Sequence, residues 1–196
     1  MSRTAAHLEK LAIETFSVVL GIVLALAVNA WHDRRSHRQS SCDALHAIQS
    51  ELASNDSMIH VKLPYHEAMR DSLAALIART RGHEVTNGLR AIANWAGLSP
   101  TQLLDDAWQT ARSTQELQYL PYTLVIGLSR TYAAQQRIGD ASRGFYAAVY
   151  TPAFATGGVA AVASMQSFLN DLASNESHLQ EQLDRARAET AMYCRE

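Results

Sequence analysis

Eight histidines and two cysteines are the residues of this 196-residue chain best equipped for chemistry. His7, His32, His37, His46, His60, His66, His83 and His178 include no pair four apart, the spacing that puts two zinc ligands on one helix face. His60 and His66 flank Pro64 with Glu67 beside them, which would supply three ligands, but solvent-facing histidines are the plainer reading. Asp105-Asp106, just ahead of Trp108, suits the positive end of a helix dipole. Gln135, Gln136 and Arg137 with Tyr132 suit a pocket wall or a solvated helix face equally. The chain carries no phosphate-cradling glycine loop and no nucleophile elbow. The expectation is a non-enzyme, with no catalytic residue, no metal and no cofactor.

The elements that would position these residues are helical. Apolar and polar residues do not alternate over any sustained run, so a sheet is not expected. From Ser41, the positions Leu45, Ile48, Leu52 and Ile59 keep a helical stripe with Asn55 in its gap. Pro64 predicts a kink or break, after which Met69, Leu73, Leu76 and Ile77 resume the pattern towards Gly82. Asn87-Gly88 reads as a turn, with Leu89, Ile92 and Trp95 in a short helix. Ser99-Pro100-Thr101-Gln102 has the pattern of a capping box, predicting a helix that runs from there to Leu117. Pro121 opens another helix, through Leu124, Leu128, Tyr132, Phe145 and Val149. Beyond Thr151-Pro152 and Gly157-Gly158, Val162, Met165, Leu169, Leu172, Leu179, Leu183, Ala186 and Thr190 mark the last. Four such stretches, one apolar stripe each, predict an antiparallel helical bundle, making the fold class all-α.

Residues 11–31 stand apart. They read LAIETFSVVLGIVLALAVNAW, and twenty-one residues of helix span about 30 Å, the thickness of a bilayer's hydrocarbon core. Trp31 sits where an interfacial aromatic belongs, followed by Arg34, Arg35 and Arg38. A cleaved signal peptide ending near Val28-Asn29-Ala30 is the competing reading, but the preceding region is weakly basic and Glu14 interrupts the apolar run. The organisation expected is a tail over residues 1–10, a transmembrane helix over 11–31 and a helical bundle domain over 32–196. Glu14, Ser17, Gly21, Ala25 and Asn29 recur at spacings of three or four and form one stripe. Small residues let two backbones approach, and Ser or Asn can hydrogen-bond across the contact, so this stripe predicts self-association or docking on a membrane protein. Glu14 snorkelling to the headgroups, the small residues being incidental, is the bland alternative.

In an up-down-up-down bundle the last helix returns to where the first begins, which would bring Cys42 and Cys194 together near the membrane. A bond between them requires a Cα separation near 5.5 Å and implies an oxidising compartment. The arginines alone lean slightly towards a cytoplasmic domain; the cysteines tip the expectation to a periplasmic one. Leu52-Ala53-Ser54-Asn55-Asp56-Ser57 is echoed by Leu172-Ala173-Ser174-Asn175-Glu176-Ser177, which places Asn55 and Asn175 at core positions that would fix helix register.

The stretch from Glu14 to Leu26, followed by Asn29 and Trp31, resembles the N-terminal signature of a bacterial family of single-pass membrane proteins of unknown function. That signature runs close to G-E-I-x-L-V-x-x-G-I-x-x-A-L-x-x-N-x-W and precedes a helical domain. Glu14, Gly21, Ile22, Ala25, Leu26, Asn29 and Trp31 match it, and Ile13 stands where the family has glycine. Trp108, Ala111 and Ser113 are similar to a W-x-x-A-x-[ST] segment of its proteobacterial members. The resemblance implies a membrane location and a single-pass topology but no activity; the location expected for the chain is the bacterial inner membrane.

The net charge of −2 excludes a strongly basic nucleic-acid binder. Two cysteines are too few for a disulfide scaffold or a cysteine-ligated zinc module. The partners expected are membrane lipid and a second copy or another membrane protein. Two further readings stay open, a periplasmic bundle that senses a ligand and a small homo-oligomeric channel with Glu14 in its lumen.

Overall fold

The computed structural model describes residues 3–80, 97–151, 154 and 158–194, with the side chains of residues 14–79 in the first helix. Regular structure among them is entirely helical: α1 (Arg3–Thr80), α2 (Asp106–Ser113), a 3-10 turn (Glu116–Tyr119), α3 (Tyr122–Val149) and α4 (Val159–Tyr193). The connection expected around Asn87-Gly88, and the short helix with Leu89, Ile92 and Trp95, lie outside the described residues.

α1 is 78 residues long, about 117 Å at the usual helical rise. It has two characters. Between residues 14 and 39 every side chain except Ala30 is exposed, including Phe16, Val19, Ile22, Val23 and Leu26. This is the one helix among the described residues that is long and apolar enough to cross a membrane. From Ser41 on, α1 buries a stripe of Leu45, Ile48, Leu52, Ile59, Met69, Leu73 and Leu76. Each such side chain contributes about 1.5–3 kcal/mol by leaving water, enough together to hold the helix in place.

The partner of that stripe is α4, through Met165, Leu169, Leu172, Leu179, Leu183 and Ala186. The cross-links Cys42–Cys194, Asp56–Arg187, His60–Gln180 and His66–Glu176 rise along α1 as they fall along α4, so the two helices run in opposite directions. α3 lies against both. Phe145 stacks on Phe168 of α4, ring centroids 4.0 Å apart, while Tyr132 and Gln135 reach Glu51 and Asn55 of α1.

The structure departs from the expected pattern at four points. Of the kink or break expected at Pro64, the break does not occur: α1 passes through it, and packing on both sides outweighs the one amide bond lost towards His60. The capping pattern at Ser99 opens no helix. Residues 97–105 are irregular, Gly97 and Ser99 take positive φ of 86° and 45°, and Thr101 spends its hydroxyl on Glu176, so α2 begins only at Asp106. The stretch expected to be a long helix is therefore one of 8 residues. At the echoed hexapeptide, Asn55 is buried but Asn175 is exposed, and the core position belongs to Glu176.

Candidate functional site

A row of buried polar side chains along α1 holds the irregular segment that leads into α2. Asn55 treats Leu104 as one strand treats another, since its Nδ2 donates to the Leu104 carbonyl and its Oδ1 accepts from the Leu104 amide, both at 2.8 Å. Its Nδ2 also reaches Oε1 of Gln135 at 3.1 Å, and Gln135 Nε2 donates to the same Leu104 carbonyl. One turn earlier, Glu51 accepts from the Ala107 amide at 2.7 Å and from the Tyr132 hydroxyl at 2.6 Å. The Glu51 carboxylate thus joins Asp106, which stands in the first turn as expected, at the positive end of α2. Asp105 flanks that helix without a side-chain capping bond.

The third clamp is His66, fully buried together with Glu176. His66 Nε2 lies 3.2 Å and 3.1 Å from the carbonyl oxygens of Leu98 and Ser99, which only accept, so this nitrogen carries a proton. Its Nδ1 lies 2.8 Å from Oε2 of Glu176, whose other oxygen accepts from Thr101. Three pieces of chain, the outer two 110 residues apart, are joined through one imidazole and one carboxylate. The expectation of surface histidines fails here: a polar residue on an otherwise apolar stripe was the only sequence signal for this role. Among the described residues no group of three His, Cys, Asp or Glu comes together that could hold a metal.

Trp108 stacks on Tyr132 with ring centroids 5.0 Å apart and planes within 7°. Burial, the Glu51 hydrogen bond and the Glu51 charge all push the Tyr132 hydroxyl far above the usual tyrosine range. Outside this pair a polar cleft of about 480 Å³ opens between residues 100–109 and α3. Gln102, Asp105, Gln109, Gln136, Arg143 and Tyr146 line it. Ser142, also on its wall, is 5% exposed and its hydroxyl has no hydrogen-bond partner. Of the residues singled out from sequence, Tyr132, Gln135 and Gln136 are on this wall, whereas Arg137 is exposed elsewhere on α3.

Glu14, Ser17, Gly21, Ala25 and Asn29 all lie exposed on α1, within an arc of about 120° at 3.6 residues per turn. A side chain placed on Gly21 would meet nothing within 4 Å, and Asn29 donates to Asp33 at 3.0 Å. Cys42 and Cys194 are joined by a disulfide, with Cα atoms 5.8 Å apart. Next to it His37 stacks on Tyr119 at 4.1 Å, which ties the 3-10 turn to α1.

Comparison with protein-family models, with curated proteins and with solved structures found no match. What stands is the class defined by fold and site: among the described residues, an all-helical fold with one helix long and apolar enough to cross a membrane, and a domain held by buried polar clamps.

Proposed function

We propose that this chain is a non-enzymatic, single-pass bacterial inner-membrane protein. Its membrane helix assembles it with a second copy or another membrane protein, and an antiparallel helical bundle faces the periplasm. The observation that carries the reading is the exposed apolar half of α1, which continues without a break into the helix that bears the core stripe. Water cannot solvate such a surface favourably, and a bilayer can. Because one helix serves both halves, whatever fixes the membrane half also fixes the direction of the domain.

Two observations support the finer points. The small-residue stripe offers close backbone approach on one face, with bulky apolar residues on the others. The Cys42–Cys194 bond persists only where thiols are oxidised, which favours the periplasm over the cytoplasm. The resemblance of residues 14–31 to the signature of single-pass bacterial membrane proteins agrees with a single membrane-crossing helix.

The test is the mass of the full-length protein in mild detergent by light scattering, beside Gly21→Leu. A defined oligomer that falls to a monomer in the variant is the expected result. A monomer in both refutes self-association and leaves a different membrane partner to be sought by pull-down. A ligand-sensing role is the second reading, favoured by the polar cleft and the unpartnered Ser142 hydroxyl on its wall.

A further inference from the structure

A second cavity, of about 850 Å³, opens where α1 leaves its apolar half, between α1, the 3-10 turn and the end of α4. Arg34, His37, Arg38, Tyr119, Leu124 and Met192 are on its wall. We propose that this cavity binds the headgroup of an anionic phospholipid. The inference rests on the membrane reading of α1 and names a ligand for the end of the domain nearest the bilayer.

Position comes first. Leu20, Val23, Ala27, Trp31, Arg34 and Arg38 follow one another at spacings of three or four, so they share one face of α1. That face lies roughly opposite the stripe of Glu14, Ser17, Gly21, Ala25 and Asn29, at 3.6 residues per turn. Leu20, Val23 and Trp31 are exposed along it. Acyl chains laid on this face therefore lead past an interfacial tryptophan directly to two guanidinium groups.

Charge comes second. Neither Arg34 nor Arg38 has a carboxylate within ion-pair distance among the described residues. Arg34 Nε donates to the Ala30 carbonyl at 3.1 Å, which steadies the side chain and leaves its terminal nitrogens free for a phosphate. The one acidic wall residue, Glu189, packs its carboxylate beside Gly127 of α3, 3.1 Å from where a Cβ would stand. Two cations thus outnumber one anion at the site, and guanidinium forks match phosphate oxygens two at a time. Leu124 and the exposed Met192 supply an apolar margin for the glycerol backbone. Asp33, the nearest acidic residue on α1, is engaged by Asn29.

The experiment uses the full-length protein in neutral detergent and follows its melting with phosphatidylglycerol, phosphatidylcholine or inorganic phosphate added. Phosphatidylglycerol is expected to raise the melting temperature by about 5–10 °C once its concentration is about a hundredfold above Kd. Phosphatidylcholine and inorganic phosphate are expected to leave it unchanged. The Arg34→Gln/Arg38→Gln double variant should lose the rise. Arg35→Gln should keep it, because Arg35 is not on the cavity wall and lies over Trp31 instead. Equal effects of the two lipids, or loss of the rise in Arg35→Gln, would overturn the proposal. A rise with inorganic phosphate alone would assign the site to a soluble anion and overturn it as well. Flotation with phosphatidylcholine vesicles on the same preparation reads the anchor separately. A chain that floats without preferring phosphatidylglycerol refutes the headgroup site and leaves the anchor standing. One that does not float refutes the anchor.

Discussion

Opening the Cys42–Cys194 bond releases a loop of 152 residues, nearly the whole domain. Chain-entropy arguments give such a closure about 5 kcal/mol, mostly through the unfolded state, which regains freedom that the bond denied it. For a chain of this size each kcal/mol moves the melting point by about 2–4 °C, so reduction should lower it by about 10–20 °C. Near-ultraviolet circular dichroism is the suitable probe, because the stacked Trp108 and Tyr132 give it a signal from the domain core. Wild type would be melted with and without dithiothreitol, beside Cys42→Ser, Cys194→Ser and the double variant. All three variants should melt with reduced wild type and ignore the reductant. Oxidised and reduced wild type melting within about 2 °C of each other would refute the loop-closure reasoning.

Three further outcomes follow from the buried clamps. Glu51→Ala leaves the Tyr132 hydroxyl and the Ala107 amide without their acceptor and should cost about 3 kcal/mol in urea unfolding, whereas Glu51→Gln, which keeps one oxygen, should cost about 1 kcal/mol. Tyr132 ionises normally, near 10, only when unfolded; its folded value is raised, so its contribution is complete below pH 10 and declines above it. Stability measured from pH 8 to 11 should therefore fall less steeply in Tyr132→Phe than in wild type, and parallel curves would contradict this. His66→Ala strands a buried Glu176 carboxylate and should cost about 3–5 kcal/mol; a double-mutant cycle with Glu176→Gln should return a coupling of about 2 kcal/mol, and additivity would deny the pairing.

Periodicity located the apolar half of the core. Leu45, Ile48, Leu52 and Ile59 on α1, and Met165 to Ala186 on α4, are buried as their spacing predicts, because one face of a long helix has only one side to bury. Polar core residues were harder to read. Asn175 and Glu176 stand three and four residues after Leu172, so a period of 3.6 puts both near the stripe. The choice falls to Glu176 because His66, on another helix, supplies its partner. His66 itself reads as a surface residue for the same reason. The capping pattern at Ser99 is a local preference worth about 1 kcal/mol, and it yields to the buried bonds that Thr101 and Leu104 make with distant side chains. Gln135 and Tyr132 were recognisable as pocket-wall candidates from their grouping, but not as the partners of Asn55 and Glu51.

The exposed half of α1 is long and apolar enough to cross a membrane, and the proposed function requires that it does so. Membranes from cells expressing the full-length chain, washed with alkaline carbonate, test this directly, since the wash strips peripheral proteins and leaves those inserted in the bilayer. The chain is expected to stay with the membrane pellet. Its release into the supernatant would show that α1 does not cross the bilayer.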